Sequence, residues 1–189
     1  IRKLRDLFPR VTLISMFGLT ECKRVCYLPP EELERRPSSV GKAMPNCEIF
    51  VVDANGDEVA PGQTGELLVR GSNVMQGYWA DPALTAKTYR EGRHAGERIL
   101  HSGDYCRRDE QGFIYFLGRK DDMIKSRGER ISAKEVENVL CGLEGVTEAA
   151  VIGVPDEVLG QAVKAYVVPG PDVELTESPS GPGFALMVE

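Results

Sequence analysis

Residues 11–21 read Val-Thr-Leu-Ile-Ser-Met-Phe-Gly-Leu-Thr-Glu. The apolar run Val11–Ser15 predicts a short buried strand. Gly18 lets the backbone turn sharply where that strand ends. A strand end is a common seat for a ligand loop, and this one carries Phe17, Thr20 and Glu21. An aromatic ring can stack on a purine, a threonine hydroxyl can bond a phosphate oxygen, and a carboxylate can hold magnesium, which prefers oxygen ligands. The same residues also read as a plain turn with a buried ring and a solvated carboxylate.

Before this stretch, Ile1 to Leu7 reads as the end of a basic helix already under way. Beyond it, Cys22 to Ser39 is polar and carries Pro29, Pro30 and Pro37, so a loop-like connection is expected. Glu48–Val52 and Glu66–Arg70 predict strands, the first followed by the turn residues Asp53-Ala-Asn-Gly56, the second bracketed by Gly65 and Gly71. Asp81 followed by Pro82 predicts a helix start, with the helix running to about Tyr89. Asp104–Arg108 and Phe113–Leu117 predict a hairpin closed by Asp109-Glu-Gln-Gly112. Met123–Ser126 predicts another strand. Ser132-Ala-Lys-Glu135 has capping-box spacing, and Val136, Val139, Leu140 and Leu143 predict one apolar helix face, with Gly142 as the stop. Ala149–Val154 and Ala162–Val168 complete the strands. Pro169 to Glu189, rich in Pro, Gly and Ser, reads as loop or disorder. The chain is therefore expected to be mixed α+β: mostly strands and tight turns to about Asp121, then strand, helix, strand, strand.

The composition is globular: 189 residues, 42% hydrophobic and 28% charged. No apolar run is long enough to span a bilayer. A net charge of −6 argues against a generic nucleic-acid coat. The cysteines number five, an odd count with loose spacing, which fits a reducing, cytoplasmic compartment better than a disulfide framework. Cys22 and Cys26 read as ordinary thiols, because no second tight pair accompanies them.

Three further stretches carry chemistry. Asp104 in Ser102-Gly-Asp104 could accept hydrogen bonds from two vicinal hydroxyls of a ribose, or it could cap the hairpin. Arg119 in Gly118-Arg-Lys-Asp-Asp122 could grip a ribose or phosphate as a fixed cationic fork. Lys125-Ser-Arg-Gly128 places a cation beside a flexible glycine. Both charged runs also read as solvated faces.

In this order, the motifs resemble those of the adenylate-forming (AMP-binding) superfamily, closest in look to the acyl-CoA synthetases. Phe17-Gly-Leu-Thr-Glu21 resembles the family's aromatic-Gly-x-Thr-Glu motif. Gly65-Glu-Leu, Gly71, and Gly77-Tyr-Trp79 with Pro82 and Thr85 resemble the next block. His101-Ser-Gly-Asp104 resembles the Thr-Gly-Asp motif. Gly118 to Asp121, with Lys125, Arg127-Gly128, Ile131 and Glu135 to Glu137, resembles the hinge block.

The resemblance implies a fold: the distorted, β-barrel-like end of a large AMP-binding domain over residues 1–120, then the start of a small, mobile α+β C-terminal domain over 121–176. Residues 177–189 would be a disordered or non-native tail. It also implies roles. Phe17 would stack on adenine, with Gly18 in the same nucleotide-binding loop. Thr20 would touch phosphate, and Glu21 would bind magnesium. Asp104 would hold the ribose hydroxyls, assisted by Arg119. Asp121 would be the hinge. Lys125 would act in thioester formation, with Gly128 beside the pantetheine arm. The implied reaction uses ATP, Mg2+ and CoA to activate a carboxylic acid, a fatty acid foremost, as acyl-AMP and pass it to the thiol. A phosphopantetheine carrier protein is the alternative acceptor, and a non-catalytic nucleotide-binding remnant the alternative fate. The family's phosphate loop and its C-terminal Gly-Lys lie outside these residues, so the segment alone is expected to be inactive.

Overall fold

The computed structural model describes residues 2–92, 94–171 and 184–188. It is mixed α/β, mostly sheet with few helices, as the sequence predicts. The chain divides into two compact units, Ile1–Phe116 and Leu117–Glu189.

The first unit opens with a short helix, α1 (Arg2–Leu7). Its smaller sheet holds β1 (Ser15–Phe17), β2 (Cys26–Leu28) and β3 (Lys42–Ala43), with β2 central. Two expectations change here. The strand predicted at Val11–Ser15 begins only at Ser15, because its partner is short and pairs with residues 15–17 alone. Val11 and Ile14 stay exposed. Within the stretch expected to be loop-like, Cys26–Leu28 is a strand, and Val25, Cys26 and Leu28 are fully buried. Burial overrides the polar, proline-rich flanks.

The larger sheet holds β4 (Cys47–Val52), β5 (Thr64–Gly71), β6 (Tyr89–Glu91), β7 (Arg98–Arg108) and β8 (Ile114–Arg119), the last a strand whose residues from Leu117 on count with the second unit, in the order β4-β5-β7-β6 with β8 also on β7. The path is open; among the described residues no pairing closes the expected barrel-like form. Between β5 and β6 runs α2 (Pro82–Thr88), capped by Asp81, whose Oδ1 accepts from Leu84 N at 2.9 Å. The β7–β8 turn follows the expected chemistry: Asp109 Oδ1 accepts from Gln111 N at 3.0 Å and Phe113 N at 2.9 Å. The core of the unit joins Val25, Val51, Leu67, Val69, Leu100 and Ile114 with four buried thiols, Cys22, Cys26, Cys47 and Cys106.

The second unit holds β9 (Met123–Ser126), β10 (Glu129–Ser132), α3 (Ala133–Leu140), β11 (Val146–Asp156), β12 (Gly160–Pro169) and β13 (Phe184–Val188). The sheet order is β10-β9-β12-β11, with β13 parallel on β12. Ser132 Oγ accepts from Glu135 N at 3.1 Å, the N-cap bond expected. The expected helix face is only half realised. Ala133, Val136 and Leu140 pack on Ile124, Val151, Val163 and Ala165, while Val139 and Leu143 are exposed. Val139 lies about 100° around the helix from Leu140, and Leu143 lies beyond the helix end. Part of the expected C-terminal loop, Phe184–Val188, is a strand; residues 172–183 and 189 lie outside the described residues. No described helix is long and apolar enough to cross a membrane.

Candidate functional site

The Phe17–Glu21 loop is held by close backbone contact. Val25 N donates to Phe17 O at 2.9 Å, and Lys23 N donates to Leu19 O at 2.6 Å. A Cβ on Gly18 would fall 1.5 Å from the Lys23 carbonyl oxygen, so glycine is demanded by close approach. The Phe17 ring is half-buried and meets Phe116 at 5.8 Å between centroids, tilted by 38°. Thr20 is exposed and Glu21 half-buried.

Asp104 is presented by a distortion of β7. Glu66 faces Tyr105 and Leu68 faces His101, so Ser102, Gly103 and Asp104 all stand opposite Leu67. Gly103 takes φ +69° there. The Ser102 hydroxyl braces the distortion: it donates to Leu67 O at 2.6 Å and accepts from Asp104 N at 3.0 Å. Asp104 is 1% exposed.

A shared core ties the two pieces together. Burial pushes the Cys22 thiol up to about 12, and Cys47, Glu21 and Asp104 push it the same way. Cys106 is raised by burial first and then by Asp104 and Cys26. Cys22 beside Glu21 and Leu67 and Cys106 beside the Asp104 bulge belong to one buried core, so the loop after β1 and the bulge of β7 form one neighbourhood within the first unit.

Sequence reasoning missed two residues of that neighbourhood. Asn73 Nδ2 donates to Cys22 O at 3.1 Å and Arg24 O at 2.9 Å, pinning the end of the loop. Tyr78 Oη donates to Glu21 Oε1. The only sequence signal for the tyrosine is its place in Gly77-Tyr-Trp79, which carries no local hint of the contact.

The remaining predicted residues lie in the second unit. Arg119 ends β8, and Asp121 sits in the exposed 3-10 turn Lys120–Asp122. Lys125 is exposed on β9, its backbone N donating to Gln161 Oε1 at 2.7 Å. Arg127 and Gly128 form the two-residue β9–β10 turn at φ +52° and +81°, the conformation such hairpins demand. A Cβ on Gly128 would meet nothing within 4 Å, so its backbone conformation and not packing calls for glycine.

The family described as AMP-binding enzyme matches residues 1–79, and the family described as AMP-binding enzyme C-terminal domain matches residues 135–179. The chain belongs to the AMP-binding enzymes. An indoleacetate–CoA ligase of Aromatoleum aromaticum is 39% identical over 170 residues, covering 89% of this chain and 32% of that protein. A long-chain-fatty-acid–CoA ligase of Escherichia coli O157:H7 is 40% identical over 165 residues, 87% of this chain and 28% of that protein. The solved o-succinylbenzoate CoA synthetase of Bacillus subtilis with its acyl-adenylate intermediate superposes with a TM-score of 0.79 at 30% identity, covering 98% of this chain and 39% of that one. The chain spans about a third of the length of the curated relatives it matches.

The residues fit the magnesium that the family implies. Mg2+ is bound through one or two carboxylates, completing its shell with water and substrate phosphates, and Glu21, half-buried in the loop after β1, offers one such carboxylate. Among the described residues no group of three or more His, Cys, Asp or Glu side chains could hold a metal ion by itself.

Proposed function

We propose that the native protein carrying this chain is an ATP-dependent acid–thiol ligase, joining a fatty acid to CoA through an acyl-adenylate. The observation that carries the reading is that the Phe17–Glu21 loop and the Asp104 bulge share one buried core, in which Phe17, Leu19 and Cys22 meet Leu67 and Cys106. The names of the related CoA ligases support the reaction class, and those of the long-chain relatives support the acid.

A carboxylate is a poor acyl donor because its oxygen leaves badly. Attack of that oxygen on the ATP α-phosphate expels pyrophosphate and turns it into part of a good leaving group, AMP. A thiol then displaces AMP to give the thioester. Phe17 offers a ring face to adenine, and the exposed Thr20 hydroxyl offers a hydrogen bond to phosphate. Glu21 would hold magnesium, which would supply positive charge against the phosphates. Asp104 accepts from the ribose hydroxyls, and Arg119 assists. Because Asp104 is 1% exposed, ribose binding requires the side chains around it to open. Lys125 acts in the thioester step, with Gly128 beside the pantetheine arm and Asp121 as the hinge.

Pyrophosphate release by the native protein, given short-chain, long-chain and aromatic acids, tests the proposal. Release that needs both ATP and acid, is fastest with long chains and is followed by acyl-CoA formation is the expected result. Silence across all three series refutes the ligase. Release without acyl-CoA, but with acylation of a phosphopantetheine carrier protein, reassigns the acceptor.

A further inference from the structure

We infer that Tyr78 is the positioning residue that aims Glu21 at its cation, an inference that rests on the proposed role of Glu21. Segment 75–78 grips Glu21 twice. Met75 N donates to Glu21 O at 2.8 Å, fixing the main chain. Tyr78 Oη donates to Glu21 Oε1, fixing the side chain. A glutamate has three rotatable side-chain bonds, so an unheld carboxylate would lose that freedom on binding metal; a held one has already lost it.

The tyrosine is itself anchored. Tyr78 N donates to Thr85 Oγ1 at 2.9 Å, and that hydroxyl donates to Asp81 O at 2.8 Å in the first turn of α2. Gly77 lets the chain approach: at φ +142°, a Cβ there would fall 2.6 Å from Thr85 Cγ2. The Tyr78 ring lies 6.2 Å from that of Tyr89, whose buried hydroxyl has no hydrogen-bond partner. The Gly-Tyr pair, Asp81 and Thr85 thus serve one purpose, delivering a hydroxyl to Glu21. Removing such a partner of a metal-binding carboxylate lowers metal affinity by about 10–100-fold.

The test uses the full native protein with Mn2+ as a spin probe, titrated in the presence of a non-hydrolysable ATP analogue. Metal-free AMP binding and thermal unfolding are measured beside it. Tyr78→Phe is expected to weaken Mn2+ binding about tenfold while AMP affinity stays within about twofold and the melting temperature is kept. Thr85→Val, which releases the Tyr78 backbone, is expected to shift Mn2+ affinity the same way by less, and it stands in if Tyr78→Phe fails to fold. Glu21→Gln separates the two ideas. If Glu21→Gln weakens Mn2+ binding and neither Tyr78→Phe nor Thr85→Val does, the positioning role is overturned and the metal role survives. If Glu21→Gln leaves Mn2+ binding unchanged, the metal role falls and the inference falls with it.

Discussion

Ser102→Ala is the substitution with the most direct structural arithmetic. The serine is buried, and its hydroxyl serves two groups that β7 cannot pair because its ladder to β5 is interrupted there. These are the Leu67 carbonyl at 2.6 Å and the Asp104 N–H at 3.0 Å. Leu67 is 0% exposed and Asp104 1%, so water cannot replace the hydroxyl without rearrangement. Stranding a buried polar group costs about 1–3 kcal/mol. With both stranded and some relaxation allowed, the expected loss is about 2–5 kcal/mol. Urea unfolding reads this as a lower midpoint with unchanged slope. Amide exchange reads it locally, as loss of protection at Asp104. Ser102→Thr keeps the hydroxyl and should restore that protection. A Ser102→Ala loss below about 0.5 kcal/mol, or an Asp104 amide still protected in the alanine variant, would refute the claim that this hydroxyl holds the bulge.

Further outcomes follow from the same structure. A thiol reagent should label Cys141 at once and Cys22, Cys26, Cys47 and Cys106 only on unfolding, since Cys141 is exposed and the others are buried; fast labelling of a second thiol contradicts the packing. Stability should fall in alkali. Burial raises Cys22 and Cys26 from 9.0 to about 12, so the folded chain keeps protons that the unfolded chain gives up. Their contribution is complete below pH 9 and is lost as pH rises toward 12, by up to about 1.4 kcal/mol per pH unit for each thiol. Urea midpoints should be level from pH 7 to 8.5 and drop by pH 10, and a level profile to pH 10.5 counts against the buried thiols. In the native protein, Lys125→Ala should leave pyrophosphate release intact and slow thioester formation; loss of pyrophosphate release would show the lysine misassigned.

Much of the fold was legible because local chemistry and burial agree. β4 and β5 are apolar runs bracketed by turn residues, and Asp81, Asp109 and Ser132 each accept the hydrogen bonds their sequence context predicts. The misreadings fall where tertiary pairing overrides composition. Cys26–Leu28 is too short and too proline-flanked to read as a strand, yet it is the centre of its sheet. Val139 and Leu143 look like core by apolarity alone, and the helix face settles otherwise. In the candidate site, the need for Gly18 was legible because a sharp turn at a strand end calls for glycine, whereas the bulge that buries Asp104 was not, because it arises from pairing with Leu67 far away in sequence. The Tyr78–Glu21 contact was not, because it joins positions 57 residues apart with no periodicity between them.

The contrast between Asp104 and Lys125 decides how activity losses should be interpreted. Asp104 is almost fully buried, raises two neighbouring thiols, and sits in a bulge whose hydrogen bonds depend on its own backbone. A substitution there disturbs stability and ligand binding together, so lost turnover alone cannot assign it to ribose. Binding of AMP must be measured on protein shown to be folded. Lys125 is exposed, and what holds it is its backbone N–H on Gln161, which alanine retains. Exposed substitutions away from such features change stability by less than about 0.5 kcal/mol. A defect in Lys125→Ala is therefore chemical, and its division between the two half-reactions is a sharper test of the proposed ligase than any change at the buried carboxylate.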